Sequence, residues 1–152
     1  MKGRQRTERV LSPKLLIDFT RGEHDVVDFF ATALTCTAST FVGEIKDLLE
    51  KGYERSLRKY ENYMIDWAKI NLMREIARND GRRAILIVFF TDYTVIWDVT
   101  DMDVDSRRKW RWVNKDGQNY GKRKEWQLMT FLYENEAIWI KRTEEEQQTT
   151  RP

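Results

Sequence analysis

The run Ala84-Ile85-Leu86-Ile87-Val88-Phe89-Phe90 constrains this chain more than any other stretch, because it is almost wholly β-branched or aromatic. Such a run fits a strand covered on both faces, in the middle of a sheet. Thr91-Asp92 then makes a tight turn, and Tyr93 to Val99 returns as a hairpin strand. Whatever else the chain forms has to cover that sheet from two sides.

Upstream, Phe29 to Leu34 and Thr40 to Ile45 read as two further strands, with Thr35 to Ser39 as the polar turn of a hairpin. Glu54 to Arg78 reads as a long helix whose core face carries Leu57, Tyr60, Met64, Trp67, Ile70 and Ile76, and Asn79-Asp80-Gly81 is its stop. Ser12-Pro13 reads as a cap and first turn, opening a short amphipathic helix through Leu15, Leu16 and Phe19. Residues 1–9 read as a frayed basic start. Near the end, Trp126 to Tyr133 and Ala137 to Ile140 suit two short strands, and residues 143–152 lack an apolar anchor and read as a disordered tail.

With 152 residues and 41% hydrophobic content, the chain suits one domain over residues 1–142, with a basic extension near 105–125. The single cysteine, Cys36, permits no internal disulfide, and no Cys and His cluster offers a zinc site. An intracellular, cytoplasmic protein is the expectation. The basic start is not followed by an apolar run long enough for a signal peptide or a membrane span, so no membrane partner is expected.

Chemistry is concentrated where the second hairpin strand ends, at Gly43-Glu44-Ile45-Lys46. Side chains alternate along a strand, so Glu44 and Lys46 share one face while Phe41 and Ile45 point the other way. A carboxylate and an amine so placed could hold a divalent cation and orient water, or form an ordinary ion pair. Chance supplies about two acid-x-Lys matches in a chain of this composition, so context decides. If the turn is centred near Cys36 or Thr37, Asp28 lies across from Glu44 or Lys46, and three polar groups converge at one end of the hairpin.

The order of elements, together with Asp28, Glu44-Ile45-Lys46 and the segment Tyr63-Met64-Ile65-Asp66-Trp67-Ala68-Lys69, resembles the PD-(D/E)xK nuclease superfamily in its small single-domain phage and mobile-element form. The resemblance covers roughly residues 5–100 and implies an α/β (α+β) restriction-endonuclease-like core, a central mixed sheet of about four to five strands flanked by helices. It also implies Mg²⁺ or Mn²⁺ held by Asp28 and Glu44, with Lys46 at the attacking water and a 5′-phosphate and 3′-hydroxyl as products. Asp25 is the alternative to Asp28, and the proline of the written motif is missing. Auxiliary roles would fall to Glu8, Glu23 and Lys69, the last as a phosphate contact. Members of the superfamily often dimerise to cut two strands, which makes a homodimer one expected arrangement. His24, the only histidine, reads as an adjacent turn residue, and Cys36 as incidental, since nothing nearby would activate it.

The net charge of +2 conceals an uneven distribution: Arg107 to Lys124 holds eight basic residues against the single acid Asp116. Arg107, Arg108, Lys109, Arg111, Lys122, Arg123 and Lys124 interleave with Trp110, Trp112 and Tyr120. Cations neutralise phosphates and exposed rings can stack on unpaired bases, so this segment is the expected nucleic-acid surface. Two functional readings follow. One is a metal-dependent nuclease acting on DNA, with RNA as a weaker variant. The other is a non-catalytic nucleic-acid-binding or assembly protein that keeps Glu44 and Lys46 as an ion pair.

Overall fold

A computed structural model describes residues 2–11, 15–20, 27–33, 40–48, 62–114 and 124–142. Its elements are α1 (Lys2–Leu11), β1 (Leu15–Phe19), β2 (Phe29–Ala33), β3 (Thr40–Leu48), β4 (Asn62–Asp66), α2 (Trp67–Asn79), β5 (Arg83–Phe90), β6 (Tyr93–Asp98), β7 (Lys109–Asn114), β8 (Lys124–Tyr133) and β9 (Trp139–Arg142), with a 3₁₀ turn at Glu134–Glu136. Six strands form a mixed sheet in the order β1-β2-β3-β5-β6-β9, and β4-β8-β7 form a second, antiparallel sheet. This is the mixed α/β architecture expected, with β9 added at the far edge of the main sheet.

The apolar run is central, as its composition demands. Ala84 to Phe90 are all buried, with β3 parallel on one side and β6 antiparallel on the other. Alternation divides the strand between two cores. Ala84, Leu86, Val88 and Phe90 pack with Val42, Trp97 and the α2 residues Ile70, Met73 and Ala77, joined by Ile65 and Leu132 of the second sheet. Ile85, Ile87 and Phe89 pack with Phe29, Ala31 and Ile96, covered by Val10 and Leu11 of α1.

Three local expectations fail, each for a physical reason. Residues 2–11 are helical rather than frayed. The inward stripe of α1 is Gly3, Thr7 and Val10, and Arg6 lays its guanidinium 4.3 Å over the Phe89 ring. Small residues and cation–π contacts cover the core there, and neither registers as hydropathy. Leu15–Phe19 is a strand paired with β2, not a helix, since a short apolar run has no decisive period and Ile17 finds its neighbours in the sheet.

The third failure is the long helix. Residues 62–66 are strand, and the helix begins only at Trp67, where the Asp66 carboxylate accepts from the Ala68 N–H at 3.0 Å as N-cap. Met64, assigned to a helical core face, is instead exposed on the outer side of β4 while Tyr63 and Ile65 turn inward. Leu57 and Tyr60 lie outside the described residues, as do the Ser12-Pro13 pair and residues 143–152. Lys109–Asn114, which the sequence marks only as part of a basic extension, is a regular strand paired with β8. Among the described residues no helix is long and apolar enough to cross a membrane.

Gly43 is required by close approach. It sits opposite Phe29 in the β2–β3 pair, and a Cβ at position 43 would penetrate the buried Phe29 ring. Gly43→Ala is expected to destabilise the fold by about 1–3 kcal/mol through the forced shift of that ring. Phe29→Leu added to it should recover part of the loss, as read by urea-unfolding midpoints.

Candidate functional site

The site is built at the end of the β2–β3 hairpin. Phe29 pairs with Gly43 as the last step of the antiparallel register, and Asp28, just before it, lies against the Gly43–Ile45 stretch of β3. Two bonds hold it there: the Asp28 N–H donates to the Gly43 carbonyl at 2.8 Å, and the Ile45 N–H donates to Asp28 Oδ2 at 2.6 Å. Thr20 fixes the approach of the chain. Its backbone N–H donates to the Asp28 carbonyl at 2.9 Å, and its hydroxyl lies 2.8 Å from the Val27 carbonyl and 3.0 Å from that of Asp28.

Glu44 follows Val42 on the α2 side of the sheet, so its carboxylate enters the larger core rather than solvent. It is 4% exposed. Two amines reach it: Lys46 Nζ lies 3.1 Å from Oε1, and Lys69 Nζ, from the first turn of α2, lies 3.3 Å from Oε2. Glu44 Oε2 nevertheless accepts no hydrogen bond. Burial pushes the Glu44 carboxyl pKa above its ordinary value. Lys46 and Lys69 pull it down and Asp28 pushes it up, without reversing the effect of burial.

Tyr63 of β4 forms the floor. Its ring stacks on Trp97 with centroids 5.8 Å apart, and meets Phe90 edge-on. Burial, and then the charge of Glu44, raise the hydroxyl pKa well above its usual value, which keeps Tyr63 neutral beside the carboxylate. Sequence reasoning quoted this tyrosine only as part of a resemblance. The signal that could have found it is its place in Asn62–Asp66, read as an alternating strand with Tyr63 and Ile65 on one side. Thr20 offered no signal, since its role is to bond main-chain carbonyls seven and eight residues away.

The structure therefore brings Asp28, Glu44, Lys46 and Lys69 together. Glu8 stands exposed on α1. Asp25, Glu23, His24 and Cys36 lie outside the described residues, as do Lys122 and Arg123. Of the remaining basic residues, Arg107 is engaged with Glu136 through Nη1 at 2.5 Å and Nη2 at 2.7 Å. Arg108 lies 4.8 Å over the Trp67 ring, and Arg111 lies 5.6 Å over that of Phe131. Lys109, Arg108, Arg111 and Lys124 are exposed at and beyond the base of β7 and β8.

Among the described residues no trio of His, Cys, Asp and Glu gathers as a metal site. The donors present are two facing carboxylates, one with a buried oxygen lacking a hydrogen bond. That set fits a hard cation such as Mg²⁺, which takes one or two protein carboxylates and fills its other positions with water and substrate oxygens. Among the described residues it offers zinc no histidine or cysteine ligand.

No protein-family model matches the sequence, and no curated protein does. The backbone resembles a solved structure, the Holliday junction resolvase Hjc of Archaeoglobus fulgidus, an archaeal hyperthermophile. The TM-score is 0.51 at 10% sequence identity, over 87% of this chain and 88% of that one. Likeness at that identity is a statement about fold, and the fold is restriction-endonuclease-like.

Proposed function

We propose that the protein is a divalent-metal-dependent nuclease that hydrolyses phosphodiester bonds in DNA, with Asp28 and Glu44 as the metal-holding carboxylates and Lys46 at the attacking water. One observation carries this reading: Glu44 is buried, with Lys46 and Lys69 at its two oxygens and a second carboxylate, Asp28, close by. A purely structural residue would gain little from that arrangement, because burial and the neighbouring carboxylate both disfavour the ionised form of Glu44. A site awaiting a cation and a phosphate gives it a purpose. The fold shared with a Holliday junction resolvase favours DNA as the substrate.

Bound Mg²⁺ or Mn²⁺ would lower the pKa of water and stabilise charge developing on the phosphate. The chain's own residues do the rest. Lys46, held 3.1 Å from Glu44 and partly open to solvent, donates to the water oxygen and fixes its line of approach to phosphorus. Lys69, less exposed and facing the other oxygen of Glu44, offsets phosphate charge. The water oxygen gives up one proton to solvent and bonds to phosphorus as the bond to the 3′ oxygen breaks. The 5′ side keeps the phosphate, and the 3′ oxygen leaves as a hydroxyl with a proton drawn from water.

The competing binding-module reading rests on the same 3.1 Å contact between Glu44 and Lys46, taken as an ion pair. The two readings part in a digestion of labelled linear, circular and branched DNA with Mg²⁺ or Mn²⁺. Asp28→Asn, Glu44→Ala and Lys46→Ala should each cut turnover by about 10²-fold or more with the fold retained. Cleavage that survives both Glu44→Ala and Lys46→Ala would overturn the assignment of the site.

A second test concerns stability. Because the folded-state pKa of Glu44 is raised, its ionisation opposes folding at neutral pH. Glu44→Gln is therefore expected to raise the melting temperature at pH 7 in the absence of metal, while removing metal binding in calorimetry. The advantage should shrink as pH falls through the raised pKa, and vanish below the ordinary glutamate value, where the wild-type carboxyl is protonated in both states. A glutamine variant less stable than wild type at pH 7 would argue that Glu44 is a structural ion-pair residue.

A further inference from the structure

The second sheet carries a surface that the candidate site does not use. Strand β8 pairs with β4 through residues 129–133 and with β7 through residues 124–129, on its opposite edges. Only Met129 has neighbours on both sides, Asp66 and Lys109. The β7–β8 pair thus runs on past the body as a two-stranded ribbon. Its base rests on the start of α2, where Trp67 Nε1 donates to Asp105 at 2.7 Å and Arg108 covers the Trp67 ring.

Alternation decides what that ribbon shows. Thr130 and Leu132 of β8 face the core, so Leu128 and Trp126, at steps of two, continue the same face outward. Trp112 lies opposite Trp126 and Trp110 opposite Leu128, which puts all three tryptophans on one side. They are 63% (Trp110), 54% (Trp112) and 63% (Trp126) exposed, and the Trp112 and Trp126 rings stand 5.5 Å apart at 57°. The face that covers the core within the body therefore emerges uncovered as indole.

The charge around those rings selects the occupant. Lys124 shares the tryptophan face, while Lys109 and Arg111 project from the reverse face beside the single acid of the described ribbon strands, Glu125, and Arg108 lies at the base, so the ribbon as a whole is cationic. A second copy docked here would bring two cationic ribbons together, with Lys124 at the contact, and an uncharged apolar partner would leave that charge without counterions. A DNA duplex supplies the phosphates but hides its base faces in its own stack. Only unpaired nucleotides offer both phosphate charge and open π faces, the combination that indole and basic side chains bind together.

We infer that the ribbon face formed by Trp110, Trp112 and Trp126 is a stacking platform for an unpaired DNA strand, so that the preferred substrate carries single-stranded nucleotides next to a duplex. The inference rests on the nuclease reading only in making this strand part of the substrate. Its place fits that role: the ribbon is seated on the helical turn that also carries Lys69, 3.3 Å from Glu44. A strand stacked along the tryptophans is led toward the carboxylates.

The test is a binding assay on the full chain in EDTA, where no cutting occurs. The probes are an oligothymidylate, a blunt duplex, and the same duplex with an oligothymidylate tail. The tailed duplex should bind on the order of tenfold to a hundredfold more tightly than the blunt one, and tryptophan emission should fall as oligothymidylate binds. Trp112→Ala combined with Trp126→Ala should abolish both effects and leave blunt-duplex affinity and far-ultraviolet circular dichroism unchanged. Trp110→Ala alone should weaken tail binding, and serves if the double variant does not fold.

Equal affinity of the wild type for tailed and blunt duplexes would overturn the inference, as would a tail preference that persists in the variants. So would a double variant that dissociates from dimer to monomer in sedimentation with tail preference intact, since the face would then cover a second copy. Metal-dependent cleavage measured separately keeps the two readings apart. Loss of tail preference with cleavage intact removes the platform alone, and tail preference without cleavage removes the nuclease assignment alone.

Discussion

Burial of β5 on both faces is the constraint on which the other elements depend. A strand with seven buried residues in succession needs hydrogen-bonding neighbours on both edges and a layer above and below. The parallel neighbour β3 can only be reached from β5 by a crossover, and α2 occupies that connection. The same pairing sets Glu44 beside Leu86 and Ile45 beside Ile87, one side toward α2 and the other toward α1. Glu44 is therefore buried because the register that satisfies the core leaves it no other direction.

How much of this could be read from residues alone follows from the kind of signal each element carried. The buried strand and its hairpin partner announced themselves because apolar β-branched runs and a polar two-residue turn have few other uses. The β2–β3 register, which ends at Phe29 with Gly43 and leaves Asp28 beside the Glu44 stretch, was legible because hairpin register is arithmetic once the turn is placed. The stretch from residue 62 to residue 79 was not, since Tyr60, Met64, Trp67 and Ile70 are spaced like a helix even though Met64 belongs to a strand. Only the capping carboxylate of Asp66 marks the true boundary, and one aspartate among many is a faint sign.

Failures at α1 and β7 have a common origin. In α1, arginine side chains lie over Phe19 and Phe89 and take part of the covering role usually given to leucine. In β7 the alternation Lys-Trp-Arg-Trp is of period two, but neither of its faces is the apolar, buried one that a period-two pattern normally reports. Hydropathy assigns a residue to inside or outside by its type. It misreads chains in which cations line aromatic rings and tryptophans stand in solvent, and this chain does both.

Those same inversions mark where function departs from folding economy. Natural sequences are locally consistent except where something other than stability holds a residue in place. Here the inconsistencies form two groups: a buried carboxylate with an oxygen lacking a hydrogen bond, between two lysines, and a ribbon whose core-continuing face is indole open to water. The first costs solvation of charge, and the second leaves apolar area uncovered that a tryptophan-to-threonine exchange could have removed. The two meet at the first turn of α2, where Trp67 anchors the ribbon base and Lys69 reaches Glu44. A short helix start thus ties the group suited to a phosphate's charge to the group suited to a base's face. One polymer presents both at a fixed spacing, and that is the physical argument joining the proposed stacking surface to the proposed nuclease site.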